Sequence, residues 1–184
     1  MEHKTIIRAV KSWVETLVVG LNLCPFAKRE LSANRVRFSV TDSATEEQLL
    51  AELHVELELL NSDDSIETTL LIHPDVLQDF YDYNQFLDYV DGLLQQMGLE
   101  GVYQVASFHP DYQFGGTEAD DAENYTNRSP YPILQLIREA SLAQAVANYA
   151  DSDEIPERNI ALANSLGRDK MQALLDACCH DSGK

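Results

Sequence analysis

Three short β-prone runs, separated by segments of helical length, restrict the folds open to this chain more than any other feature. Val36, Phe38 and Val40 alternate with Arg35, Arg37 and Ser39, the pattern of a half-exposed edge strand. Thr68–Ile72 (TTLLI) shows little alternation and suits a central strand, and Val102–Phe108 reads as a third. Between the first two, Thr45 and Gln48 resemble a capping box, and Leu49, Leu53, Leu57 and Leu60 share one helical face. Between the second and third, a helix capped at Asp75 runs to Met97 and stops at Gly98, with Leu87, Val90, Leu94 and Met97 on its buried side. Ile6, Val10, Trp13 and Leu17 predict an earlier helix over 4–19, ended by Gly20. Connections of this length are crossovers, which predicts parallel pairing.

The spacing of Ile133, Leu136, Ile137, Ala140 and Ala143 predicts a further helix, opened by Ser129 and Pro130. Pro156 starts a short helix ending near Gly167, and Met171, Leu174, Leu175 and Cys178 mark a last one. The expected architecture is α/β: one compact domain over residues 1–180, with a small, mostly parallel sheet of three or four strands flanked by five or six helices, and a flexible tail at 181–184.

Charge narrows the partners. The formal net charge is -18, and residues 41–127 hold no Lys or Arg against 20 Asp and Glu. Such a field repels nucleic acid and anionic membranes, so an anion site needs a local cationic cluster. No run of 18 apolar residues is present, and MEHKTIIRAVKSW is not a signal peptide. Cys24, Cys178 and Cys179 make no disulfide framework. These features predict a cytoplasmic protein that contacts neither nucleic acid nor membrane.

The candidate chemistry gathers between Val105 and Glu139. Two strands end alike, in His73-Pro74-Asp75 and His109-Pro110-Asp111. If those strands are neighbours, about 4.8 Å apart, His73 and His109 can share a metal ion, or His109 can act as acid and base. The plainer alternative is strand-exit chemistry, in which Pro stops the ladder and Asp caps. The Gly115–Gly116 pair lets backbone N–H groups approach a ligand closely, or merely turns a corner. Arg128 can clamp a phosphate or carboxylate with Asn124 and Asn127 beside it, or can pair with the acidic run from Glu118 to Glu123. On the helix expected after Pro130, Gln135, Arg138 and Glu139 share a face. Arg138 then joins the anion clamp, Gln135 contacts the ligand, and Glu139 is a second general base. Cys24 is read either as a small buried hydrophobe or as a nucleophile.

The segments GLNLCPFA (Gly20 to Ala27), ASFHPDYQFGGT (Ala106 to Thr117), NYTNRSPYP (Asn124 to Pro132), LIREAS (Leu136 to Ser141) and IPERNI (Ile155 to Ile160) together resemble a bacterial domain-of-unknown-function family, DUF1415, over nearly the whole chain. The resemblance implies no particular activity or cofactor. In that family's pattern a His is common where this chain has Gln135, and an Asp where it has Ala140. A Gln can hydrogen-bond there but cannot shuttle a proton.

Two functional readings follow. One is an enzyme acting on a small anionic metabolite, phosphorylated or carboxylated, with His109 and Glu139 as catalytic groups and a metal as a possible assistant. The other is a non-catalytic module that binds a small molecule or a protein partner.

Overall fold

The computed structural model describes residues 3–180. The tail expected at 181–184 lies outside the described residues. The chain runs through α1 (His3–Trp13), a π-helical turn (Val14–Val19), α2 (Ala27–Ser32), β1 (Val36–Val40), α3 (Glu46–Ser62), β2 (Thr68–Ile72), α4 (Phe80–Gln96), β3 (Tyr103–Phe108), β4 (Ile133–Arg138), α5 (Glu139–Ala147), α6 (Ile155–Leu166) and α7 (Arg168–His180). The architecture is the expected α/β one, with seven α-helices among the described residues. None of these helices is long and apolar enough to cross a membrane.

Local chemistry accounts for most boundaries. Thr45 Oγ1 accepts from the Gln48 N–H at 3.3 Å and opens α3. Asp79, not Asp75, caps α4: its Oδ1 accepts from the N–H groups of Tyr81 and Asp82. The three residues between are spent on a turn in which Leu77 takes φ +57°. Gly20 works by close approach and not by positive φ. Its φ is -63°, but a Cβ there would stand 2.2 Å from the Thr16 carbonyl oxygen. The Gly20 N–H donates to Glu15 O at 3.0 Å, an i to i+5 bond that ends the π-helical turn.

The sheet order is β1-β2-β4-β3. β1 and β2 pair in parallel, whereas β4 is antiparallel to both β2 and β3. The sheet is therefore mostly antiparallel, which corrects the parallel expectation. β1, β2 and β3 do point the same way, as crossovers through α3 and α4 require. What changes the pairing is β4, inserted between β2 and β3.

β4 also corrects the expected helix after Pro130. ILQLIR is apolar at four of its six positions, because a central strand is covered on both faces. Without alternation, its spacing fits a helix equally well. The β-branched Ile133 and Ile137 and the two prolines upstream favour the strand.

The two faces of the sheet carry separate cores. Leu71, Tyr103, Leu134 and Leu136 pack against α3 and α4. Leu70, Ile72 and Ile133 pack against α1, the π-helical turn, Tyr125 and α7. Arg37, on the α3 side of β1, binds Glu56 through both Nε and Nη2 at 2.8 and 2.9 Å, and Ser39 adds a third hydrogen bond. Burial resists ionisation of Glu56, yet the bonds from Arg37 and Ser39 prevail and lower its pKa.

Candidate functional site

The α1 side of the sheet is covered unevenly. Ile72 and Ile133 lie under the core of α1. Further along the same face stand Thr68, Gln135 and Ala106, polar or small residues of β2, β4 and β3. Gln135 is in register with Ala106 and Leu70, and Thr68 lies one pair further on, opposite Ile137. The helices above them pack loosely: α5 buries no residue and α6 only Ala163. A cavity of about 1030 Å³ lies between floor and helices.

Its walls come from segments distant in sequence. Trp13, Val14 and Val18 close one side, Cys24 to Ala27 another, and Phe114, Gly115 and Thr117 a third. Ser141, Leu142 and Ala145 of α5 and Asn159 and Ile160 of α6 form the roof. Specific bonds tie roof to wall. Asn159 Nδ2 donates to Leu23 O at 2.7 Å, and Arg158 Nη2 donates to Asn22 O at 2.8 Å. The Phe26 and Tyr149 rings meet edge to face at 5.6 Å.

Charged groups enter the wall beside β1. Arg35 pairs with Glu67 at 2.5 Å and with Glu30 at 3.5 Å, and Arg29 reaches Glu30 at 3.5 Å. Glu30 Oε2 is buried with no hydrogen bond among the described residues, although the Arg35 guanidinium lies beside it.

Of the residues singled out in the sequence, Cys24, Gly115, Asn127 and Gln135 line this cavity. Gly116, with φ +86°, turns the loop beside it. Asn124 is fully buried and spent on the loop itself. Its Oδ1 accepts from the Phe114 N–H and the Thr117 hydroxyl, and its Nδ2 donates to Glu118 O.

The two arginines of the expected anion clamp are apart. Arg128 donates to the carbonyls of Tyr112 and Ala119 and stacks 4.5 Å over the Tyr125 ring. Arg138 lies on the α3 side of β4, two residues from Leu136 and opposite in facing to Gln135. Its guanidinium holds the carbonyls of Leu60, Asp63 and Ile66 and the Tyr103 hydroxyl. Gln135, Arg138 and Glu139 thus share no helical face. Glu139 begins α5, its N–H bonded to Val102 O at 3.0 Å, and it does not line the cavity.

The two histidines sit at the same end of the sheet, but β4 runs between their strands. Two strand spacings separate those strands, about 9–10 Å in place of one spacing. Both imidazoles are fully buried against the Tyr83 ring, with centroids at 5.7 Å for His73 and 5.1 Å for His109. His109 Nδ1 accepts from the Asp111 N–H and Nε2–H donates to Leu77 O, which together select the neutral Nε2–H tautomer. Burial pushes its pKa down. His73 Nδ1–H donates to Val76 O at 3.0 Å, and its Nε2 is buried without a partner among the described residues. Burial pushes this imidazole from 6.5 to about 4. Among the described residues, no three His, Cys, Asp or Glu side chains converge as metal ligands would.

Residue reading passed over Asn159, Glu30, Arg35 and Glu67. Only the IPERNI motif pointed near one of them, because ion pairs across a fold leave no spacing signal. No curated protein and no solved structure matches the chain. The model of the family described as "Protein of unknown function (DUF1415)" matches residues 5–173, a span that contains every segment lining the cavity, and the chain belongs to that family.

Proposed function

We propose that this protein binds a small organic molecule in the cavity between the sheet floor at Thr68 and Gln135 and the roof of α5 and α6. The observation that carries this reading is the cavity itself. Its volume, about 1030 Å³, matches the upper range of small-molecule sites, and its lining is largely apolar with a few polar groups. All five motif segments contribute lining residues, a convergence that packing alone does not require. The three cysteines are free, which supports a reducing, cytoplasmic setting.

A catalytic reading has one specific support: the Cys24 thiol lines the same cavity as Glu30 and Glu67. An anion clamp at Arg128 and Arg138 with His109 as acid and base has weaker support, since each of those groups is already bonded within the fold.

The test is native mass spectrometry of the purified protein together with a thermal-shift screen of metabolites. Binding should disappear in Ala145→Trp, which fills the roof, and persist in Tyr89→Ala, which alters an exposed residue of α4. A ligand held equally by both variants would place binding elsewhere. Recovery of the ligand unchanged identifies a binding protein. Conversion that is lost in Cys24→Ser identifies an enzyme.

A further inference from the structure

Three carboxamide nitrogens of the cavity lining are turned into the protein. Gln135 Nε2 donates to Thr68 Oγ1 at 3.1 Å, and that hydroxyl donates in turn to Leu136 O at 2.6 Å. Asn127 Nδ2 donates to Ser107 O at 3.2 Å, and Asn159 Nδ2 to Leu23 O at 2.7 Å. These orientations are forced. Two of the partners are backbone carbonyls, and the third is a hydroxyl whose proton is already committed, so only an N–H can face each of them. The carbonyl oxygens of Gln135 and Asn127 are left without protein donors among the described residues; Asn159 Oδ1 is unpaired there too, but it is enclosed and out of a ligand's reach. A carbonyl oxygen left open on a cavity wall can accept only from water or a ligand donor.

Charge points the same way. The wall contains Glu30, Glu67 and Glu123 against Arg29 and Arg35, and both arginines are engaged with Glu30 or Glu67. The whole chain stands at -18. The rest of the lining, including Trp13, Val18, Phe108 and Leu142, is apolar.

We infer that the cavity takes an organic cation, an amine or guanidine on an apolar body, whose N–H groups are received by Gln135 and Asn127 with the glutamates as countercharge. This class of ligand rests on the cavity being the binding site proposed above. It also reverses the sign of the ligand suggested by Arg128 and Arg138 in the sequence. An acceptor-lined, net-acidic pocket desolvates an anion without repaying it, whereas each ammonium or guanidinium proton finds an oxygen.

The test is calorimetric titration of the full chain with phenethylamine, phenethyl alcohol and phenylacetate, which share one body and differ in charge. The amine should bind at least about tenfold tighter than the alcohol, and the carboxylate more weakly than either. Gln135→Met and Asn127→Leu should each weaken the amine by about tenfold and leave the alcohol within about twofold. Added salt should weaken only the amine. If the alcohol or the carboxylate binds as tightly as the amine, the cation inference is overturned while the cavity stands as a binding site. If none of the three binds, this inference is again overturned, and the cavity reading falls only if Ala145→Trp also leaves every retained ligand in place.

Discussion

His73 should make the protein sensitive to mild acid by an amount that follows from its surroundings. The imidazole is fully buried at the end of β2, stacked on Tyr83 with His109 nearby, and among the described residues only its Nδ1 has a hydrogen-bond partner. Burial holds its folded pKa at about 4, against 6.5 for the free group. Between these values the unfolded chain takes up a proton that the folded chain refuses. Stability therefore falls as pH drops through 6.5 and levels off below about 4. Integrated from about pH 7.5 to about pH 5, this one group removes about 2 kcal/mol, and close to 3 kcal/mol by about pH 4. That is a sizeable part of the roughly 5–15 kcal/mol expected of a domain. The assay is urea unfolding followed by circular dichroism across this range, for the wild type and for His73→Asn. Asparagine keeps a donor for the Val76 carbonyl and does not titrate. Its fixed packing cost shifts the whole curve, so only the difference in pH slope is read. The variant should lose about 2 kcal/mol less than the wild type by about pH 5. Parallel curves, or a His73 ring resonance titrating at its ordinary value, would refute the reasoning.

Two further outcomes follow from the same geometry. Arg138→Met should destabilise by about 2–4 kcal/mol in chemical unfolding, because it strips a charged donor from the carbonyls closing α3 and the turn before β2. It should leave cavity ligands bound as before, and a loss of binding at unchanged stability would contradict this. Gly20→Ala should cost about 1–3 kcal/mol and disturb the π-helical turn, since the added methyl would meet the Thr16 carbonyl at 2.2 Å. An unchanged unfolding midpoint would show that the turn relaxes freely.

The α3 and α4 crossovers, the edge character of β1 and the common direction of β1, β2 and β3 were all legible in the residues. Each is written in local terms: a cap, an apolar stripe, an alternation, a connection too long for a hairpin. β4 was not legible, because a strand buried on both faces has no alternation to display, and ILQLIR fits a helix by spacing alone. That single misreading moved the candidate site. With β4 between them, the His73 and His109 strands are no longer neighbours, and Arg138 turns to the face opposite Gln135. Cys24, Gly115 and Asn127 could be picked out in the chain as loop residues, and Gln135 as part of an expected helix face, but not the cavity they line. Asn159 meets Leu23 across 136 positions, and Arg35 meets Glu67 across 32. Local chemistry writes the elements into the chain. Which side chains share a space depends on strand order, and strand order is settled by long-range packing that no stretch of the sequence carries alone.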